Sequence, residues 1–224
     1  MIRLISFLGN PGPEYARNRH NAGRLLAEAS PFFSRLDWRK KYKGRYTAVA
    51  GERVLAALPH EWPVKPASPA PPVLPDKFHF LMPEMYMNLS GESIFAAAAF
   101  LKIKPEEILL VHDELEIPLG AVSLKFSGGL GGHNGLRSMK ARFGSADFWR
   151  LRIGIGRPDG RRPGEGGSAG SGRGIADWLL SDFSAPEMEE LAPVLEAGAD
   201  LLLRVMAGDP ETFLPEWKKK KIAN

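Results

Sequence analysis

Apolar residues occur along this chain in two patterns: short runs, which are typical of strands, and longer runs with helical spacing. Residues 108–111 form an unbroken apolar run, and other β-type runs, most of which include polar residues, predict further strands at residues 2–8, 46–50, 54–58, 78–81, 121–126 and 148–155. The helical spacing predicts a helix that begins near residue 22 and further helices at residues 94–101, 135–143, 175–180 and 186–207. Because strands and helices alternate, the pattern predicts an α/β fold.

Four segments stand outside this alternation. Gly51-Glu52 separates two strand-like runs and predicts a hairpin. Prolines between residues 59 and 76 exclude a helix or a central strand, so we expect an exposed, semi-rigid insertion there. The glycine-rich residues 160–174 predict a disordered segment, and residues 218–221 predict a basic tail.

Composition limits the possible classes of protein. The chain has 224 residues, 44% hydrophobic and 25% charged, so one domain over residues 1–224 can bury a substantial core. The chain contains no cysteine, which excludes a disulfide framework and a thiol nucleophile. The net charge of +4 favours a polyanionic partner such as nucleic acid, although proteins that bind none also carry such charges.

Nothing in the sequence predicts a membrane partner. Apolar stretches such as residues 94–101 are too short to span a bilayer, and the first residues lack the pattern of a signal peptide. We therefore expect a soluble, cytoplasmic protein that acts as a monomer.

The stretch FLGNPGPEYARNRHNAG at residues 7–23 has the composition of a functional site. A strand ends at a glycine and proline turn, which places Asn10 and Tyr15 near the strand end. Asn21 is a candidate N-cap for the following helix, so His20 is expected just before that helix and partly exposed. A histidine in this position can be a general base, or it can be merely structural.

A candidate partner for His20 follows the buried strand at residues 108–111. Asp113 could accept a hydrogen bond from one imidazole nitrogen and stabilise the cation that forms when the ring takes up a proton. Asp113 could instead cap a turn, in which case His112 or Glu114 would be the functional neighbour.

Three asparagines could belong to the same site. Asn10, Asn88 and Asn134 all follow or precede turns, and Asn134 is best explained as the cap of the helix at residues 135–143. A carboxamide offers a donor and an acceptor without charge, so each could also contact a carbonyl, a hydroxyl or an oxyanion.

Other motif matches lack the flanking sequence that their functions require. Residues 166–170 match G-x-S-x-G but lie in low-complexity glycine, whereas a nucleophile elbow needs a flanking strand and helix. Residues 154–156 begin like a dinucleotide fingerprint that the next residues do not complete. The five histidines have no ligand spacing, so we predict no metal and no cofactor.

Four sequence blocks together resemble the bacterial peptidyl-tRNA hydrolase family. The blocks are the stretch at residues 7–23, M-N-L-S-G at 87–91, V-H-D-E-L at 111–115 and G-G-H-N-G-L-R at 131–137. The likeness covers residues 2 to 156, and the segments at 59–76 and 158–174 look like insertions. It implies a twisted mixed β-sheet flanked by helices and hydrolysis of the ester between a peptide and the 3′ end of tRNA, which recycles peptidyl-tRNA released prematurely from ribosomes. Asn18 departs from the family's usual threonine.

The resemblance also implies a role for individual residues. His20 matches the general base, Asp113 its partner, and Asn10 the residue that distinguishes blocked from free aminoacyl groups. The positions that contact the tRNA end are matched by Tyr15, Tyr86, Asn88 and Asn134, with tyrosine at 86 where the family commonly has phenylalanine. The cationic pair that binds the tRNA 5′ phosphate is matched by Lys125 and Arg152.

Alternatives to these roles remain open at the level of sequence. Lys125 and Arg152 could be solvated strand residues, and the basic residues 39–45 could form a solvated loop or contact an RNA backbone. The protein could also be a non-catalytic RNA-binding relative, such as an intron-splicing partner, or a hydrolase of another small ester. With no cysteine and no credible serine nucleophile, a hydrolase of this sequence would activate water directly.

Overall fold

A computed structural model describes residues 1–58, 74–158, 172–218 and 220–223 of the chain. Most of the proline-rich and glycine-rich segments, and with them the G-x-S-x-G match, lie outside the described residues. The predictions made for those segments therefore stay predictions.

One eight-stranded sheet with the order β2-β3-β4-β1-β5-β7-β6-β8 forms the centre of the molecule. Its strands are β1 (Leu4–Phe7), β2 (Arg39–Lys41), β3 (Gly44–Ala50), β4 (Lys77–Pro83), β5 (Ile108–Glu114), β6 (Ala121–Phe126), β7 (Trp149–Gly154) and β8 (Lys220–Lys221). The central pairs β4-β1, β1-β5 and β5-β7 are parallel, and the outer pairs are antiparallel. The predicted α/β fold with a mixed sheet is confirmed.

Helices cover both faces of the sheet. The described helices are α1 (Ala22–Ala29), α2 (Gly51–Leu55), α3 (Ser90–Leu101), α4 (Asn134–Phe143), α5 (Gly172–Leu180), α6 (Ala185–Ala207) and α7 (Leu214–Trp217). Within the described segments, none of these helices is long and apolar enough to cross a membrane.

The helices bury a separate hydrophobic core on each face of the sheet. Leu109 and Val111 of β5 belong to the core under α1 and α6, whereas Ile108 and Leu110 belong to the core with α3 and α4. All four side chains are completely buried, and each contributes about 1.5–3 kcal/mol by its transfer from water. Burial on both faces explains why this strand is an unbroken apolar run. Because β1, β4, β5 and β7 run parallel, their carboxyl ends meet at one edge, where α/β proteins commonly place their sites.

The predicted hairpin at Gly51-Glu52 is wrong. Strand β3 already pairs with β2 on one side and β4 on the other, so no edge is left for another strand. The chain instead continues into α2, and Val54 packs into the core. The observed hairpin joins β2 to β3 through Tyr42 and Lys43, both at positive φ, so much of the basic segment 39–45 is strand and not loop.

The predicted basic tail is also more ordered than expected. Lys220 and Lys221 pair with Val122 and Ala121 and form the outermost strand of the sheet. The Ser123 hydroxyl donates to the carbonyl of Lys218 just before that strand. The C-terminal lysines therefore protect the edge of β6, a role that a local run of like charges does not indicate.

Candidate active site

The segment after β1 folds back on itself through the side chain of Asn21. Its Oδ1 accepts from the Asn10 backbone N–H at 2.8 Å, and its Nδ2 donates to the Asn10 carbonyl at 3.0 Å. Asn21 occupies the N-cap position of α1 as predicted, but its side chain makes no capping hydrogen bond there. The side chain closes the loop between residues 10 and 21 instead, because it satisfies two polar groups that burial would otherwise leave unpaired.

Asn10 has a fixed side-chain orientation. Its Oδ1 accepts from the Met87 backbone N–H at 2.8 Å, which identifies this atom as the amide oxygen. The Nδ2 group of Asn10 has no hydrogen bond to the described part of the chain. The Nδ2 group of Asn10 is therefore available to donate a hydrogen bond to a bound molecule.

Close packing of α1 on the sheet places His20 beside β5. A Cβ atom on Gly23 would lie 2.3 Å from the Val111 carbonyl oxygen and 2.8 Å from that of Leu8. Only glycine lets α1 come this near to the ends of β1 and β5. The turn of 3₁₀ helix at Arg19–Asn21, which directly precedes α1, is thereby placed next to Asp113.

His20 and Asp113 form a buried hydrogen-bonded pair. His20 Nδ1 lies 2.9 Å from Asp113 Oδ1 and 3.0 Å from Oδ2. His20 is 4% exposed and Asp113 2%, which corrects the expectation of a partly exposed histidine. Burial alone would lower the pKa of His20, but the charge of Asp113 and its hydrogen bond outweigh burial and raise it. Burial likewise opposes ionisation of Asp113, yet His20 and His133 shift the pKa of that carboxyl far below its ordinary value.

The chain from α5 to the start of α6 packs against the 3₁₀ turn that contains His20. Arg19, the preceding residue, donates to both carboxylate oxygens of Glu187, at 2.6 and 2.7 Å, and its guanidinium lies 3.6 Å from the centre of the Trp178 ring. The Arg19 backbone N–H also donates to the Ser181 carbonyl. These partners lie about 160 residues away in sequence, so local sequence patterns do not show that His20 is buried.

His133 is a site residue that sequence reasoning missed. Its Nδ1 accepts from the Gly135 backbone N–H at 3.1 Å, so the ring proton is on Nε2, which donates to Asp113 Oδ1 at 3.0 Å. His133 is thus the N-cap of α4, and Asn134 is the first helical residue, which corrects the predicted cap. The position of His133 between a glycine-rich loop and a helix was the available signal.

The structure also decides between Asp113 and its two neighbours. His112 Nδ1 lies 2.6 Å from the Asp113 carbonyl oxygen, and its ring centre lies 4.8 Å from that of His133. Burial and His133 keep the pKa of His112 well below its ordinary value, so this ring is neutral. Glu114 lies 3.6 Å from Arg152. Asp113 is therefore the partner of His20.

A metal ion would have one possible set of ligands among the described residues. Ligand atoms of His20, Asp113 and His133 lie within 4.8 Å of one another. Their spacing along the chain gave no sign of this group. The hydrogen bonds of the two rings to Asp113 already use the atoms in question, and they account for the cluster without an ion.

The residues expected to contact the tRNA end lie on exposed turns around this pair. The rings of Tyr15 and Tyr86 pack edge to face with centres 6.5 Å apart, and Tyr86 is 57% exposed. Asn88 lies in the 3₁₀ turn after Tyr86, and Asn134 begins α4; both are exposed. The two turns belong to one unit, because α3 and α4 pack together.

Lys125 and Arg152 lie on the same face of neighbouring strands. In the register of β6 and β7, Ser123 is opposite Arg152 and Lys125 is opposite Arg150. Arg152 donates to the Ser123 hydroxyl at 2.7 Å and pairs with Glu114, so it is not simply solvated. Burial and the two arginines lower the pKa of Lys125. The concentration of positive charge at this point suits an anion.

Comparisons with known proteins agree with one another. A family model described as peptidyl-tRNA hydrolase matches residues 4–224. The peptidyl-tRNA hydrolase of Treponema pallidum is 42% identical over 224 residues, which is 99% of this chain and 96% of the relative, and that of Rhodospirillum centenum is 37% identical over 95% and 79%. The crystal structure of the Acinetobacter baumannii peptidyl-tRNA hydrolase superposes with a TM-score of 0.74 at 28% identity, covering 97% of this chain and 94% of that one.

Proposed function

This chain belongs to the peptidyl-tRNA hydrolase family and, as an ester hydrolase, cleaves peptidyl-tRNA; we propose that His20 is the general base of that reaction. The observation that carries the proposal is the buried contact between His20 Nδ1 and Asp113 at 2.9 Å. Because Nδ1 donates to the carboxylate, the lone pair of the ring is on Nε2, where it can accept a proton from water.

Asp113 has two effects in the proposed mechanism. Its hydrogen bond selects the tautomer of His20, and its negative charge stabilises the imidazolium that forms as water attacks the ester carbonyl. His133 donates to the same carboxylate and fixes its orientation. The proton then passes from His20 to the leaving ribose oxygen, which is a better leaving group than an amine and therefore suits direct attack by water.

We propose that Asn10 stabilises the negative charge that develops on the carbonyl oxygen of the ester. The Met87 N–H fixes its amide so that Nδ2 is the free donor, and a fixed donor needs no reorganisation when charge develops. The exposed side chains of Tyr86, Asn88 and Asn134 would contact the terminal nucleotide and the first residue of the peptide.

Asn10→Ala should lower the turnover rate and reduce the preference for N-blocked over free aminoacyl-tRNA. The Nδ2 group of Asn10 has two hydrogens. Alanine removes the donor to the ester oxyanion, which lowers the rate, and also a donor to the N-acyl carbonyl, which only the blocked substrate carries and which therefore sets the preference. Initial rates on N-acetyl-aminoacyl-tRNA and aminoacyl-tRNA at several salt concentrations measure both effects. The salt dependence should stay that of the wild type, and an unchanged substrate preference would remove Asn10 from this role.

We propose that Lys125 and Arg152 bind the tRNA 5′ phosphate. Lys125→Gln and Arg152→Gln should each raise KM, leave the saturated rate almost unchanged, and lower the slope of log KM against log salt by about one. Lys104→Gln, which removes a charge at the opposite end of β5, is the matched control. If the slopes of log KM against log salt in Lys125→Gln and Arg152→Gln equal that of Lys104→Gln, neither residue contacts a phosphate.

A direct assay tests the function as a whole. Purified full-length protein should release N-acetyl-amino acid from N-acetyl-aminoacyl-tRNA at neutral pH without an added cofactor. A protein that binds this tRNA without hydrolysing it would be a non-catalytic RNA-binding relative, which the family comparison does not favour. We propose that the substrate in the cell is peptidyl-tRNA released prematurely from ribosomes, and that the protein acts on it in the cytoplasm as a monomer.

A further inference from the structure

Arg150 is a buried cation that forms no ion pair with a carboxylate of the described segments, although Glu114 also acts on its charge. It is the largest of the fully buried side chains in those segments, at 1% exposure. Burial and the nearby Arg152 lower the pKa of Arg150 to about 10, which still leaves it charged at neutral pH. A buried charge of this kind costs stability, and an apolar side chain at the same place in β7 would avoid that cost.

The guanidinium of Arg150 is bonded to the glycine-rich loop after β6. Its Nη1 donates to the Gly129 carbonyl at 2.6 Å and its Nη2 to the Gly128 carbonyl at 2.9 Å. The group also lies 4.8 Å from the centre of the Phe148 ring, which limits its movement. Two charge-assisted hydrogen bonds from one planar group fix both the position and the orientation of the loop backbone.

This loop needs such a constraint because glycine is its main component. Gly128, Gly131 and Gly132 all have positive φ, a conformation that glycine adopts at little steric cost but at a large cost in entropy. Directly after the loop come His133, which donates to Asp113, and Asn134 at the start of α4. The position of both residues therefore depends on the loop.

We propose that Arg150 is a positioning residue of the active site, which acts through the loop at residues 128–132 on His133. Its contribution is to catalysis and not to stability. Arg150 touches neither His20 nor Asp113 and lies one strand away from the pair. The activity part of this proposal rests on the proposed roles of His20 and Asp113.

Arg150→Met tests the proposal, because methionine fills much of the space without the two donors. We expect kcat to fall about 10-fold or more while the Tm changes by no more than about 4 °C, since loss of a buried charge offsets loss of its hydrogen bonds. Hydrogen exchange of the amides at residues 128–134 should become faster. Arg150→Lys should be intermediate, because one ammonium cannot replace the planar fork. Arg142→Met, an exposed arginine on α4, is the control and should match the wild type.

A double-mutant cycle with His133→Asn separates positioning from a general structural effect. If Arg150 acts through the loop on His133, the double variant should be no more than about 2-fold slower than the slower single variant. The proposal would be overturned if the rate decreases of the two single variants multiply in the double variant. It would also be overturned if Arg150→Met keeps the wild-type rate and the wild-type amide exchange. A wild-type protein that fails to hydrolyse the substrate would instead overturn the proposed function, and the amide exchange would still report on the loop.

Discussion

His20→Ala should lower the single-turnover rate of hydrolysis by about 100-fold or more, the effect of losing a general base, while tRNA binding stays close to that of the wild type. The physical reason is that water at neutral pH is a poor nucleophile unless a nearby base accepts its proton. Single-turnover kinetics with excess enzyme measure the chemical step, and a filter-binding assay measures affinity.

The control for His20→Ala is the loss of another buried histidine. His79 of β4 bonds to the Tyr46 hydroxyl at 2.7 Å, and burial with nearby cations lowers its pKa to about 4. His79→Ala should therefore affect stability and leave the rate of the folded protein unchanged. A wild-type rate in His20→Ala would show that His20 is structural and that another group activates water.

Asp113→Asn should lower the plateau rate by roughly 100-fold or more and move the acidic limb of the pH profile to lower pH. In the wild type, Asp113 raises the pKa of His20 against the opposing effect of burial. Without the carboxylate charge, burial dominates and the pKa of His20 falls. Since only neutral His20 can accept a proton, activity appears above its pKa, and a lower pKa extends the active range to more acidic solution.

The pH profile of kcat from about pH 4 to 9 tests the pairing of His20 with Asp113. Glu114→Gln is the matched control, because it removes the neighbouring carboxylate, which faces Arg152 instead of His20. Its acidic limb should stay at the wild-type pH. If the acidic limb moves in Glu114→Gln but not in Asp113→Asn, the partner of His20 is Glu114 and not Asp113.

The sequence was sufficient for two of the sheet strands. The predicted run at residues 108–111 lies within β5, which is apolar there because it is buried on both faces. Strand β6 coincides with its prediction at Ala121–Phe126, although Ser123 and Lys125 alternate with its apolar residues. The pairing of His20 with Asp113 was also inferred correctly, although only the resemblance separated Asp113 from its two neighbours.

Local patterns failed where a polar side chain had a choice of partners. Asn21 and Asn134 both stand where a cap is expected, yet Asn21 bonds to Asn10 across a loop and His133 caps α4 in place of Asn134. Capping propensity describes bonds within a few residues and competes with any donor or acceptor that the fold brings nearby. The choice is made by tertiary contacts.

By itself, therefore, the sequence determined the α/β alternation and the central strands, because each depends on neighbouring residues, and its family motifs indicated the contact between His20 and Asp113. Only the tertiary structure decided that His20 is buried, that His133 shares Asp113, and that Arg150 fixes the loop beside them. Arg19, which directly precedes His20, and its partner Glu187 are 168 positions apart. Hydrogen bonds of this range form only when the sheet has ordered its strands, so no local periodicity contains them.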